Sequence, residues 1–255
     1  MEDRKPIALA NPGKLGDFLY MLPTARYLCN LTGRTADIYS SEYCRATKRL
    51  VEYQSYVDGM YFSDKYKMLG IGCGLQPFYV PLDYHLYETV WQCGFRACPD
   101  RPLHLWIAMN AGIQDSNSIE IKYDYPDIPT PSENYFVLAA RGNTSYKPLF
   151  LDVIKQSPIK VVQIGSKGEY IGEDREKSPD MTGLDMLETT TWIARSQGFV
   201  GIMSAMLVLA NGFPINRVAP HDGIHWTMEH VVRSEYNFYP INPSADEILK
   251  LLHEQ

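Results

Sequence analysis

The sequence predicts an α/β protein of two successive units, each alternating buried strands with amphipathic helices. Three observations carry that prediction. The apolar tetrapeptide Ile7-Ala-Leu-Ala10 opens directly into a small-residue turn and a helically spaced apolar series. The same order of strand, turn and helix recurs far downstream, across Ala194–Pro214. Between the two lies a polar stretch, Gln114–Asn134, carrying Pro126, Pro129 and Pro131, a composition that suits a connector rather than a core element. The expected units are therefore residues 1–125 and 133–255.

In the first unit, Ile7–Ala10 is a short apolar run that reads as a buried strand. After Asn11-Pro-Gly13, apolar Leu15, Phe18, Leu19, Leu22, Ala25 and Leu28 fall at helical spacing and predict one helix. Thr35–Tyr39 and Gly59–Phe62 read as strands, separated by Glu42–Tyr53, whose mixed charges fit a surface helix. Gly70–Gly74 and Phe78–Val80 read as strand or loop, and Tyr84–Phe95 as helix. In the second unit the βαβ rhythm restarts with strand Tyr135–Ala140, a helix over about Leu149–Gln156 and strand Lys160–Ile164. Helix Met186–Ser196, strand Phe199–Met203, helix Met206–Asn211 and strand Asn216–Ala219 follow. The last segment, Pro243–Leu252, opens with Pro and Ser, places acids in its first turn and spaces its apolar residues helically, so it is a terminal helix.

Composition narrows the function classes. Hydrophobic content of 45% and charged content of 21% are those of a chain that buries a core. A formal net charge of −6 argues against broad nonspecific nucleic-acid binding, which needs a basic face; a local basic groove stays open. Cys29, Cys44, Cys73, Cys93 and Cys98 form no C-x-x-C pair and read as reduced thiols, which together with a charged start and no long apolar run gives a cytoplasmic expectation without a membrane span. Ile164-Gly-Ser-Lys-Gly168 is neither a G-x-G-x-x-G fingerprint nor a P-loop, so neither an NAD enzyme nor a P-loop kinase is supported. His221, His225 and His230 with Asp222 and Glu229 lack the spacing of a metal-binding motif, and no metal site is expected there.

The two strand–turn–helix segments offer complementary chemistry. Asp17 sits at the start of a helix just past a small-residue turn, and Ser204 with free N–H groups opens another, where a phosphate would be welcome. Each also has a plainer reading: Asp17 as an acid favoured by the helix dipole, Ser204 as an N-cap. Arg141 and Lys147, in the segment Ala139–Pro148, could grip phosphate oxygens or be ordinary loop charge.

These residues resemble a known family. Gly16-Asp17 followed by Leu19, Leu22 and Pro23, together with Thr182-Gly-Leu, Ile193-Ala-Arg195, Phe199-Val-Gly201, Ser204 and Ala210–Pro214, are similar to the two signature regions of the heptosyltransferases, family 9-like glycosyltransferases of GT-B architecture. The resemblance covers roughly half of the chain in pieces and implies a shortened GT-B-like fold, two Rossmann-like domains facing a cleft. It implies transfer of a sugar from a nucleotide-diphosphate-sugar donor, used as co-substrate without a further cofactor or metal, to an acceptor hydroxyl on a carbohydrate or other molecule, with inversion.

By motif position Asp17 would take the acceptor's proton, with Lys14 and Gly16 beside it. Donor contacts would come from Arg141, Lys147, the turn Gly165, Ser166 and Lys167, and the helix start Ser204, Ala205 and Met206. Asp180 could hold a ribose hydroxyl, or be a solvated loop acid. His225 and Trp226 would touch the donor base or the acceptor. One departure stands out: the family's second signature carries Asp-Ser/Thr-Gly, two more residues and His-Leu-Ala, whereas this chain has Met203-Ser-Ala-Met-Leu207. Two rival functions stay open, a glycosyltransferase acting on a modified DNA base and a catalytically silent nucleotide-binding module.

Overall fold

The computed structural model of the protein describes residues 6–11, 13–63, 87, 90–93, 101–116, 119–141, 145–223 and 231–254. By its internal contacts the chain divides into two units, Met1–Asp124 with Trp226–Val231, and Tyr125–His225 with Val232–Gln255.

The first unit is built on a four-stranded sheet. Its strands are β1 (Ile7–Ala10), β2 (Ala36–Ser41), β3 (Val57–Ser63) and β4 (Val90–Gln92), in the spatial order β3-β2-β1-β4. Every pairing is parallel. β1 is buried along its whole length, as a strand covered on both faces must be. The helix expected after it is two helices, α1 (Leu15–Leu19) and α2 (Leu22–Thr32). Pro23 is the cause: a proline inside a continuous helix would remove one N–H and clash with the carbonyl four residues back, so the chain breaks at Tyr20-Met21 and Pro23 falls in the first turn of α2.

Glu42–Tyr53 resolves into a 3-10 segment, Glu42–Thr47, and a short helix α3 (Lys48–Glu52), which bury Cys44, Thr47, Leu50 and Val51 and expose their charges. The helix expected over Tyr84–Phe95 is contradicted by β4. β1 needs a partner on its second edge, and Ala8, Leu9 and Ala10 find one in Val90, Trp91 and Gln92. Gly70–Gly74 and Phe78–Val80 lie outside the described residues. Helix α4 (Leu103–Asn110), unforeseen in the sequence, buries Leu103, His104, Ile107 and Ala108.

The second unit is built on a six-stranded sheet: β5 (Tyr135–Ala139), β6 (Lys160–Gly165), β7 (Asp180–Thr182), β8 (Gly198–Gly201), β9 (Asn216–Val218) and β10 (Asn237–Phe238). Their order is β10-β9-β8-β5-β6-β7, again all parallel. Helix α5 (Lys147–Gln156) follows β5, α6 (Met186–Ala194) precedes β8, α7 (Ala205–Ala210) follows β8, and α8 (Ala245–His253) ends the chain. Phe136, Leu138, Phe150, Val153, Val161, Val200, Val218, Ile248 and Leu252 form one buried cluster that joins α5 and α8 to the sheet. α8 starts as its sequence demands, with a capping box in which Ser244 accepts the Glu247 N–H and Glu247 accepts the Ser244 N–H.

Residues 119–134 carry no regular secondary structure. Their start is fastened to the first unit: Asp124 pairs with Arg26 at 2.8 Å, and its backbone exchanges hydrogen bonds with the Gln54 side chain. Their continuation is fastened to the second, where Arg195 pairs with Asp127 and donates to the Ile128 carbonyl.

Both sheets share one rule of construction. In the order of their appearance, strands run 3-2-1-4 in the first unit and 3-2-1-4-5-6 in the second. Each sheet therefore has a switch point beside its first strand, between β1 and β4 and between β5 and β8, and open parallel sheets bind ligands at the C-terminal ends of the strands there.

Candidate functional site

In the first unit the switch point is occupied by the loop from β1 to α1. Asn11 is 1% exposed, and its carboxamide spans the junction. Oδ1 accepts the Gly13 N–H at 2.7 Å while Nδ2 donates to the Cys93 carbonyl, just past β4, at 2.7 Å. Gly13 is required by space: a Cβ there would meet Asn11 Oδ1 at 2.7 Å and Asp17 Cβ at 3.1 Å. The buried Cys44 thiol donates to the Gly13 carbonyl at 3.5 Å.

Asp17 follows as the third residue of α1, half-buried, its carboxylate accepting the Lys14 N–H at the N-cap. Burial pushes its carboxyl above the usual range, and the Lys14 charge and backbone N–H offset only part of that. Burial likewise pushes the Cys44 thiol up to about 11, with the Asp17 carboxylate adding to the shift, so Cys44 is a neutral donor and not a nucleophile. A half-buried carboxylate with a raised proton affinity, held at a switch point, is suited to taking a proton.

In the second unit, β5 and β8 run side by side with Ala139 opposite Gly201, so the segments that follow them leave one edge of the sheet together. Gly201 permits this approach: a Cβ would sit 2.8 Å from the Ala139 carbonyl oxygen. Arg141, exposed, adopts a left-handed backbone with φ of 48°, a conformation disfavoured for a residue with a side chain. Lys147 is the first residue of α5 and is exposed. Ser204 is the N-cap of α7, but its hydroxyl does not cap; Oγ is buried and makes no hydrogen bond to the described residues. Ala205 and Met206, in the first turn of α7, have N–H groups that helix geometry leaves without partners inside the helix.

The turn after β6 lies at the same end of the sheet but is already engaged. Gly165, at φ of 140°, lets the Glu169 carboxylate reach back to accept the Ser166 N–H at 2.8 Å. Lys167 packs against Gly183, whose Cβ would lie 3.3 Å from its own. Asp180 is engaged too: Oδ1 accepts from the Thr182 hydroxyl at 2.7 Å and N–H at 3.1 Å, and Oδ2 pairs with Arg175 at 3.3 Å. The Thr182 hydroxyl bond is the main reason that its carboxyl is held below the usual range.

His225 and Trp226 lie outside the described residues, as do Glu229 and His230. His221 is structural: Nδ1 accepts the Gly223 N–H, so Nε2 carries the proton and donates to the Tyr239 carbonyl at 3.0 Å. Among the described residues there is no group of three or more His, Cys, Asp or Glu able to hold a metal ion. None of the described helices is long and apolar enough to cross a membrane.

The structure thus gathers Arg141, Lys147, the Gly165–Lys167 turn and Ser204–Met206 at one edge of one sheet, and Lys14, Gly16 and Asp17 at the corresponding edge of the other. It adds Asn11 and Gly13 around Asp17. It also adds Tyr146, the N-cap of α5, whose phenol is pushed up by burial and then by the Asp222 charge beyond β9. Asn11 had a legible signal, an Asx residue leaving a strand into a turn. A groove of about 460 Å³ lined by Glu133, Ser157, Lys160 and Lys177 lies at the opposite, N-terminal ends of β5 and β6, away from both switch points.

Solved structures share this fold. A glycosyl transferase family 9 protein from Veillonella parvula superposes with a TM-score of 0.67 at 12% identity, covering 100% of this chain and 99% of its own. The E. coli heptosyltransferase WaaC with ADP gives 0.66 at 11% identity, covering 98% and 99%. The fold is GT-B. The iron-containing dodecameric glycosyltransferase TibC from enterotoxigenic E. coli gives 0.62 at 15% identity, and the chain spans 64% of its length. No protein-family model and no curated protein sequence matches the chain. At these identities the likeness establishes the GT-B fold and a structural resemblance to heptosyltransferases.

Proposed function

We propose that the chain is a glycosyltransferase that moves a sugar from a nucleotide-diphosphate-sugar donor to an acceptor hydroxyl with inversion. The observation that carries this reading is Asp17: a half-buried carboxylate of raised proton affinity in the first turn of α1, the helix that follows β1 beside the switch point of the first sheet. In the proposed step the acceptor hydroxyl loses its proton to Asp17 as its oxygen bonds to the anomeric carbon. The bond from that carbon to the diphosphate breaks, and its electron pair leaves on the phosphate oxygen. Arg141, Lys147 and the start of α7 with Ser204 would receive the growing charge. Ser166 and Asp180 would contribute less, since the Ser166 N–H and the Asp180 carboxylate already have protein partners. An adenosine diphosphate sugar is the donor class to try first, because WaaC is solved with ADP and with ADP-2-deoxy-2-fluoro heptose.

The test is release of nucleotide from ADP-heptose, and from a panel of UDP-, GDP-, CMP- and dTDP-sugars, by wild type and Asp17→Asn. Turnover of one donor by wild type and its loss in Asp17→Asn would support the reading; equal rates would remove Asp17 as base. The altered Met203–Leu207 segment favours a second reading, a nucleotide-binding module without catalysis, for which ADP would bind and no donor would be consumed.

A further inference from the structure

We propose that Asn11 is the positioning residue for Asp17: its carboxamide fixes the β1–α1 loop so that the bare Gly13 backbone borders the Asp17 side chain and sets the space in which that carboxylate points. The proposal rests on the reading of Asp17 as a base. Three sets of contacts carry it.

The Asn11 backbone has no freedom, since its N–H donates to the Tyr39 carbonyl at 3.0 Å and its carbonyl accepts the Ser40 hydroxyl at 2.8 Å. Its side chain then acts in two directions from this fixed point. Nδ2 ties it across the switch point to the Cys93 carbonyl, while Oδ1 holds the Gly13 N–H. Nδ2 also lies 3.4 Å from the Asp17 carbonyl, so the same amide touches both ends of the loop that it spans.

Gly13 transmits the constraint. It is held by Asn11 at its N–H and by Cys44 at its carbonyl, and its Cα faces the Asp17 side chain closely enough that a methyl group would lie 3.1 Å from Cβ and 3.7 Å from Oδ2. An amide is needed at position 11 because one oxygen must accept and one nitrogen must donate; a carboxylate offers acceptors only and would face the Cys93 carbonyl without a proton between them. Simple fastening of β1 to β4 would require only the Nδ2 contact. The Oδ1 bond to Gly13 is the one that leads to the Asp17 side chain.

The experiment uses the full chain as wild type, Asn11→Asp, Asn11→Ala and Gly13→Ala. Three quantities are read: the Asp17 carboxyl titration by carbon-13 NMR, its resonance assigned by its absence in Asp17→Asn; the thermal midpoint; and kcat and KM for ADP-heptose. Asn11→Asp and Gly13→Ala are expected to move the Asp17 titration by at least about half a pH unit, since each alters its immediate surroundings. They should also lower kcat at least about tenfold with the donor KM kept within about twofold, as a misaimed group does.

Variants that melt earlier yet leave the Asp17 titration and kcat at wild-type values would overturn the proposal and make Asn11 a strand fastener. Gly13→Ala keeps the test alive if Asn11→Ala does not fold, because it retains the Asn11 amide while its methyl group crowds both Asn11 Oδ1 at 2.7 Å and Asp17 Cβ at 3.1 Å. A wild type that turns over no donor defeats the transferase reading, while the Asp17 titration still decides the role of Asn11.

Discussion

The loop after β1 and the segments after β5 and β8 occupy the same topological place in their sheets, yet they are finished differently. Around β1 the protein supplies its own partners: Asn11 holds Gly13, Cys44 holds it from the other side, and Asp17 accepts the Lys14 N–H. At β5 and β8 the finish is looser: Lys147 is exposed at a helix start, Arg141 sits exposed at φ of 48°, and the Ser204 hydroxyl is buried without a partner among the described residues. The contrast fits the division of duties proposed above, in which a base is aimed by the chain and cationic groups receive an anion.

The comparison breaks most readily at Asp17. Asp17→Asn is expected to lower transfer by about 10² to 10⁴, the usual worth of a general base, measured as nucleotide release under saturating donor. The same variant should melt later at neutral pH. The folded-state carboxyl has a raised proton affinity, so its ionised form is the destabilised one and stability falls as pH rises through the folded titration point. A neutral amide removes that cost, and the gain should vanish in acid, where wild type is protonated too.

The next effect tests how firmly the aimed half is built. His104, 6% exposed and stacked on Tyr20 just past α1, has its imidazole lowered to about 4 by burial. The unfolded chain takes up that proton first as pH falls below about 6.5, so wild type should lose about 3 kcal/mol relative to His104→Phe between pH 6.5 and 4. Denaturant melts of both across that window check it; parallel curves would mean that His104 is protonated in the fold.

On the receiving half the effects are smaller. Gly165→Ala would place a Cβ 2.6 Å from Glu169 Oε2 at a φ of 140°, and should cost about 1 to 3 kcal/mol while freeing the Ser166 N–H. Arg141→Gly relieves a left-handed residue, so stability should hold or rise by up to about 1 kcal/mol even as donor affinity falls. A lower melting point in Arg141→Gly would show that the guanidinium is structural.

Much of this was legible in the sequence, and the gaps have physical causes. β1, β5 and β8 are short runs of apolar residues and glycine bounded by turns, and α8 carries its own capping box, so local chemistry places them. β7 and β10 span three and two residues, too few to show a period, and exist because an edge of the sheet pairs with them. β4 was misread as helix because its strand state is imposed by β1, more than 80 residues earlier in the numbering. The site divides likewise. Asp17, Arg141, Lys147 and Ser204 stood out through motif and spacing, whereas the Asn11 clamp depends on Cys93 at a sequence separation of 82.

The most direct test of the division between an aimed base and a receiving anion site is calorimetric titration of ADP into wild type, Asp17→Asn and the double variant Arg141→Ala/Lys147→Ala. Asp17→Asn should bind ADP within about twofold of wild type, and the double variant should bind at least about tenfold more weakly, the worth of one charge-assisted bond. The reverse pattern, affinity lost with Asp17 and kept without Arg141 and Lys147, would contradict the account.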